Sequence, residues 1–145
     1  MVIGRGGANL EILKKQTSRL LKIRPKDPNS PKLELDEIVE VKNPDLSAPL
    51  ILDRLKDQLV KRYPHRRAVS MAMSKAMNVG AKGIKIVLSG RIAGAEISRT
   101  EKYGLGTVPT QTLRADIDYA EGPAATKSGY VGIKVWVHKG EGQIS

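Results

Sequence analysis

The feature that most constrains the fold is a change of hydrophobic period after Gly83, where helix-like spacing gives way to alternation. In the segment 84–89 aliphatic residues take every second position, and a two-residue period recurs over 112–119 and 130–137. Successive side chains of a strand point to opposite faces, so such alternation is typical of a strand with one buried face. The sequence therefore predicts a sheet of three or more strands with one apolar face.

Two amphipathic helices are predicted before these strands. Ser47 is a suitable N-cap for the first helix, and Pro49 stands just inside it. The second helix is predicted over His65–Val79, with alanines at four-residue spacing on one face and Gly80 as the C-terminal cap. The apolar face of the first helix consists of Ile51 or Leu52, Leu55, Leu59 and Tyr63.

The remaining segments are assigned from turn residues and shorter patterns. We predict a helix over Ala8–Ser18, a proline-containing loop over Arg24–Lys32 and an extended segment over Leu33–Val41. A short helix is predicted over Gly94–Tyr103. Together these elements indicate an α+β fold in which helices pack on one side of a mainly antiparallel sheet. The polar, basic face left open carries Lys85, Arg91, Arg114 and Lys134.

Charge narrows the classes of partner. Twenty-five Lys and Arg against fifteen Asp and Glu give a formal charge of +10, which favours a polyanion as partner.

No apolar stretch approaches the roughly 20 residues of a membrane-spanning helix, and the start of the chain does not resemble a secretory signal. With no cysteine, a cytoplasmic compartment is the simplest expectation. Aromatic residues are few, so we expect recognition to rest on backbone and charge rather than on stacking.

The glycine-rich segment Gly4-Arg5-Gly6-Gly7 precedes the first predicted helix and fits the GxxG loop of KH domains. Glycines let the backbone approach a sugar-phosphate chain closely, while Arg5 and the helix N-terminus attract phosphate. Glycine turns before helices are also common, so a simple turn is the alternative interpretation.

Arg66 and Arg67 open the second predicted helix, at the end where cations oppose the helix dipole. Their position indicates an external anion, and the alternative is a solvated basic turn between two helices.

Support for an enzyme is weak. Asp116 and Asp118 share one face of a predicted strand, as catalytic carboxylates would, but Arg114 shares that face and favours ion pairing. His65 and His138 stand alone and show no metal-ligand spacing. We therefore expect no catalytic residue, metal or cofactor, and we keep a metal-dependent nuclease at the two aspartates as a rival.

Four long segments carry a resemblance to a known family. They are GAKGIK at 80–85, SGRIAGAEISRTE at 89–101, TLRADIDY at 112–119 and GIKVWVHKGE at 132–141. In this order and spacing, the chain closely resembles the bacterial-type universal small-subunit ribosomal protein three over essentially its whole length.

The resemblance implies a partial type II KH domain over 1–46 and a C-terminal ribosomal protein domain over 47–145. It also implies binding to ribosomal RNA in the head of the small subunit, contact with neighbouring head proteins, and a place beside the channel through which messenger RNA enters. The implied RNA-binding residues are Gly4, Arg5, Gly6, Gly7, Arg66, Arg67, Lys75, Arg91, Arg99 and Arg114.

The sequence departs from the family pattern at several places. The chain begins at the KH loop, where the family has a strand and a helix before it. Ser70 stands where the family usually has a third basic residue, and Gly104 and Thr107 stand where it tends to have arginine. A KH-type RNA-binding protein acting outside the ribosome is therefore kept as the alternative function.

Overall fold

A computed structural model describes residues 7–21 and 41–142. The chain divides into two compact units, Met1–Glu40 and Val41–Ser145. In the first unit, helix α1 spans Ala8–Leu20 and confirms the predicted helix, which it extends by two residues. The predicted loop and most of the predicted extended segment lie outside the described residues.

The described part of the second unit contains two further α-helices and four strands. Helices α2 (Ala48–Val60) and α3 (His65–Val79) confirm both predictions. The strands are β1 (Gly83–Gly90), β2 (Arg99–Gly106), β3 (Ala115–Thr126) and β4 (Gly129–Glu141).

The four strands form one antiparallel sheet in the order β2-β1-β4-β3. Helix α2 packs on β3 and β4, and α3 packs on β1 and β2. The edge strand β3 carries Pro123, and a bulge interrupts its pairing between Asp116 and Ile117. The predicted α+β class is confirmed, and the KH part remains a prediction.

Alternation places the core between the sheet and the helices. Ile84, Ile86 and Leu88 of β1 lie opposite aliphatic residues of β4, and all three are fully buried. Ala68 and Ala76 of α3 are buried above the sheet, since a methyl side chain lets the helix approach closely. Burying each large aliphatic side chain contributes about 1.5–3 kcal/mol, so this face supplies most of the stability.

The start of α2 is capped from the sheet. Ser47 occupies the predicted N-cap position but makes no side-chain cap bond. Instead Asp118 of β3 accepts a 2.9 Å hydrogen bond from the backbone N–H of Ala48. A carboxylate beside a helix N-terminus is favourable because it meets free N–H groups and the positive end of the dipole.

Helices α2 and α3 end in the same hydrogen-bonded turn but with different residues. After α3, Gly80 has φ 109°, and N–H groups of Gly80 and Ala81 donate to carbonyls in the last turn over 3.1 Å each. After α2, Arg62 has φ 60°, and the N–H groups of Arg62 and Tyr63 donate in the same pattern over 3.1 and 2.9 Å. Glycine is usual at such a left-handed position, and a larger residue there costs about 1–2 kcal/mol.

The predicted helix over Gly94–Tyr103 is wrong. A short 3-10 turn at Ile92–Gly94 is followed by β2, which pairs with β1 along its whole length. Ala95 already has an extended backbone, with φ −57° and ψ 142°, and the register places Gly106, after the predicted helix, beside Gly83. A Cβ at Gly83 would lie 2.2 Å from the carbonyl oxygen of Thr107, so only glycine lets the two chain segments meet there.

Candidate nucleic-acid interface

The sheet face away from the helices, here called the open face, carries lysines on three neighbouring strands. Lys102 of β2 and Lys134 of β4 both lie opposite Val87 of β1, and Lys85 of β1 lies opposite Trp136. These residues alternate with the core residues, so their side chains stand on the other side of the same strands. The open face is therefore cationic, as predicted, although Arg91 and Arg114 lie outside its strands.

Sequence reasoning missed an aromatic pair on the open face. The rings of Tyr119 and Trp136 have centroids 5.1 Å apart, and Lys85 Nζ lies 5.1 Å from the Trp136 ring centroid. The hydroxyl of Tyr119 donates to Glu121, which raises the pKa of Tyr119. Trp136 stands between Val135 and Val137 in an alternating strand, and this position could have shown that its ring faces away from the core.

A second basic site, here called the α3 corner, lies where α2 and α3 meet. Arg66 and Arg67 are exposed on the first turn of α3, which begins directly after Pro64, and Lys75 is exposed further along the same helix. Ser70 is exposed as well. The three predicted cations of this helix are thus available to solvent.

A polar network attaches this corner to β2. Glu101 contacts His65 Nε2 at 2.9 Å and Arg99 Nε at 3.0 Å, and it accepts a hydrogen bond from the hydroxyl of Tyr103. The hydrogen bond from Tyr103 lowers the pKa of Glu101; burial opposes this, and the charges of His65 and Arg99 reinforce it. Burial first, and then the bond to Glu101, raise the pKa of Tyr103, while nearby Arg66 opposes the shift. The network fixes the start of α3 on the sheet and holds Arg99 in place.

The other predicted RNA-binding arginines of the second unit, Arg91, Arg99 and Arg114, are divided between the two ends of the sheet. Arg99 pairs with Gly90, the residue before Arg91, so Arg91 and Arg99 share one end. Arg114 directly precedes β3, whose first residue pairs with the last residue of β4 at the opposite end. Arg91 also has a structural role, because its Nε donates to Ala95 O at 2.8 Å and its Nη1 to Ser128 O at 3.1 Å.

Of the carboxylates and histidines weighed as catalytic or metal-binding groups, Asp118, His65 and His138 have structural partners, and Asp116 is exposed. Asp118 caps α2 and lies 3.5 Å from Lys139 Nζ, so its observed ionic partner is Lys139 and not Arg114, the cation from which ion pairing was predicted. His138 is buried, with Nδ1 2.8 Å from Thr107 O and Nε2 3.1 Å from Gly140 O. Within residues 7–21 and 41–142, no cluster of three or more His, Asp or Glu side chains is arranged to hold a metal ion.

The predicted KH loop falls mostly outside the described residues, since Gly4, Arg5 and Gly6 are not among them. Gly7 is described and adopts a left-handed conformation with φ 78° at the start of α1. In the part of the chain that the structure covers, no helix is long and apolar enough to cross a membrane.

Comparison with known proteins points to one family. Residues 55–137 match the family described as "Ribosomal protein S3, C-terminal domain". The chain is 48% identical over 141 residues to the small ribosomal subunit protein uS3 of Caldanaerobacter subterraneus, covering 97% of the chain and 60% of that relative. The corresponding proteins of Clostridium botulinum strain 657 and Hyphomonas neptunium are 50% and 44% identical, with 97% of the chain covered in both and 60% and 54% of the relatives. The chain thus spans little more than half the length of these relatives.

Proposed function

Because the chain belongs to the ribosomal protein S3 family, we propose that it is a structural constituent of the small ribosomal subunit head and not an enzyme. It acts in the cytoplasm within the ribosome, where it binds ribosomal RNA and neighbouring head proteins. The observation that carries this proposal is the distribution of exposed cations over the open face and the α3 corner, on a sheet and helices that hold them in fixed positions.

Ribosomal RNA is the proposed partner of Arg91, Arg99 and Arg114 together with the open face. Arg91 and Arg99 are held at one end of the sheet by the bonds described above, and Arg114 lies at the other end. Cations spread along one body can neutralise several phosphates of a folded RNA at once, which supplies affinity without reading sequence. The lysines and the aromatic pair of the open face add a surface on which an unpaired base can stack.

Messenger RNA is the proposed partner of Arg66, Arg67 and Lys75. The network around Glu101 fixes the first turn of α3, so its two arginines form a rigid cationic corner. Such a corner can contact a passing phosphate backbone. Since Ser70 replaces a basic residue of the family pattern, we expect a weaker grip on structured messengers.

The KH assignment of Gly4–Gly7 and the domain limits 1–46 and 47–145 remain part of this proposal. The division of the chain between Glu40 and Val41 supports a boundary close to the predicted one. Expression of 47–145 alone tests it, because an independent domain unfolds cooperatively.

Co-sedimentation with small ribosomal subunits through a salt gradient tests the ribosomal role. The full chain should remain with subunits at physiological salt. A chain that binds RNA but never sediments with subunits would favour the alternative, an RNA-binding protein acting outside the ribosome.

Translation through a stable messenger hairpin tests the α3 corner. Each phosphate neutralised on a single strand contributes about −0.7 to the log–log salt slope, so Arg66→Ala with Arg67→Ala should reduce that slope by about 1.4. Ribosomes carrying this variant should pause longer at the hairpin, and Ser70→Lys should shorten the pause. Equal pausing by ribosomes with the wild-type chain, the double arginine variant and Ser70→Lys would refute the role in messenger binding.

A further inference from the structure

A cleft of about 310 Å³ opens at the end of the sheet that carries Arg91. It lies between the α2–α3 turn, the 3-10 turn after β1 and the β3–β4 turn. The floor is apolar: Ile92 and Val131 are 1% and 2% exposed, and Leu59 packs against the same core. The lining also includes Arg62, Tyr63, His65, Arg91, Lys127 and Ser128.

The charged side chains that line the cleft are basic, and no carboxylate of the described residues is among them. Arg62, Arg91 and Lys127 come from three different segments of the chain, and His65 lies beside them. Arg62 and Lys127 are exposed. A charged rim above an apolar floor is complementary to a ligand with an anionic group and a flat or apolar body.

Arg91 is held in the wall of the cleft, and the protein uses only some of its guanidinium N–H groups. Two of its five N–H groups donate to Ala95 O and Ser128 O, which fixes the plane of the guanidinium. The other N–H groups remain for a ligand in the bidentate geometry that arginine uses for phosphate. Ser128 adds a hydroxyl, and a Cβ at Gly94 would lie 3.3 Å from its oxygen.

Arg62 occupies a backbone position that favours glycine. The equivalent position after α3 is occupied by Gly80, with the same two hydrogen bonds to the preceding turn. A strained position persists when the side chain has a use that offsets it, and a cation near a helix C-terminus is one such use. The cleft provides a second use for this side chain, because Arg62 carries the charge that the α2–α3 turn contributes to the rim of the cleft.

We propose that this cleft binds one unpaired nucleotide of an RNA strand, with its phosphate between Arg62, Arg91 and Lys127 and its base on the apolar floor beside Tyr63. The inference deepens the proposed function and depends on it. An RNA nucleotide is favoured over an acidic peptide because it joins a charge to a flat body within one residue. A peptide would have to bring its acid and its apolar side chain from separate residues, and its backbone would need further polar partners in a small apolar cleft.

The test uses the full chain, a five-nucleotide oligouridylate and the same strand without its central base, measured by fluorescence anisotropy over a salt series. Wild type should bind the complete strand about fivefold or more tightly than the strand lacking the base. Arg62→Gly should weaken binding, reduce the salt slope by about 0.7 and remove most of the sensitivity to the base.

Lys61→Ala is the matched control, because it removes the neighbouring charge from a residue that does not line the cleft. Glycine suits the left-handed position, so Arg62→Gly should melt no lower than wild type, and lost binding cannot then be ascribed to unfolding. Equal effects of the two substitutions, or equal binding of the two strands, would overturn the cleft as a nucleotide site.

A third probe distinguishes the occupant. If the peptide Asp-Asp-Leu-Asp-Asp binds more tightly than the complete strand and Arg62→Gly abolishes that binding, the partner is a protein and the proposal is wrong. A wild-type chain that binds neither strand would contradict the RNA-binding function as a whole. If Arg62→Gly leaves RNA affinity unchanged but replacement of Arg66 and Arg67 weakens it, the proposed role of the cleft is contradicted and the RNA-binding function is not.

Discussion

The two faces of the sheet are built from alternate residues of the same strands, yet they differ in almost every property. In β1, Ile84 and Ile86 are fully buried under the helices, whereas Lys85, between them, lies over the ring of Trp136 on the open face. Since the side-chain period is two, neighbours in sequence are separated by the whole thickness of the sheet. Stability and recognition can therefore be changed independently, one position apart.

The helix-covered face also holds polar groups, of which Asp118 is the most informative. Asp118 lies in register with Val137, a core residue, but its carboxylate reaches the backbone N–H of Ala48. A polar group in this layer is tolerated because it completes the start of α2 and lies near Lys139. The comparison of the faces thus distinguishes polar groups that hold the fold together from those left for a partner.

The largest expected effect is on the core. Ile86→Ala should lower the free energy of unfolding by about 2–5 kcal/mol, because it leaves a cavity under α3. Lys102→Ala, one strand away on the open face, should change it by less than about 0.5 kcal/mol. Urea unfolding measures both, and similar losses would mean that the open face also contributes to stability.

The aromatic pair should matter next, and for RNA rather than for folding. Trp136→Leu removes the ring that Tyr119 and Lys85 contact, and RNA affinity should fall by about 1–3 kcal/mol if a base stacks there. Tyr130→Leu is the control, because Tyr130 is 73% exposed near the β3–β4 turn of the same strand. Titration with single-stranded RNA should show the loss for Trp136→Leu only. An equal loss of affinity in both variants would mean that exposed aromatic rings bind RNA non-specifically.

The cap on α2 should contribute about 1 kcal/mol. Asp118→Ala leaves the N–H of Ala48 without its partner, and loss of a helix cap costs about 0.5–2 kcal/mol. Asp116→Ala removes the same charge from an exposed position on the same strand and should be nearly neutral. Thermal unfolding of the pair separates the cap from the general effect of a lost negative charge.

The smallest expected effect is a change in pH dependence at the α3 corner. The bond from Tyr103 lowers the pKa of Glu101 in the folded chain below its ordinary 4.5. Stability supplied by the ionised carboxylate is therefore fully present above that value and is lost as the pH falls through the folded pKa. Glu101→Gln should flatten the decline in stability below pH 4.5, whereas Glu96→Gln, at an exposed position, should not. An unchanged decline in the Glu101 variant would show that the network contributes no acid sensitivity.

The sequence predicted the elements whose period was long and uninterrupted. Helix α3 has the predicted limits because its alanine spacing and Gly80 mark both the face and the end. Strand β2 was assigned to a helix because its pairing with β1 depends on residues distant in sequence, and its glycines matter only through close backbone contact. Periodicity within one segment carries no information of that kind.

The candidate site was predictable in its charges but less so in its geometry. Arg66 and Arg67 are exposed on α3, as their position at the start of a helix suggested. The bonds of Arg91 to Ser128, the network around Glu101 and the ring contact of Trp136 all join residues brought together by the sheet register. These contacts require knowledge of which strands are neighbours, and a single sequence did not supply it.

The edge strand β3 has a consequence for the chain before it meets any partner. A long free edge offers unpaired backbone groups to strands of other chains. Pro123 removes one donor from that edge, and the bulge at Asp116 and Ile117 interrupts its regular pairing. Edge-to-edge association between copies of the chain is thereby disfavoured.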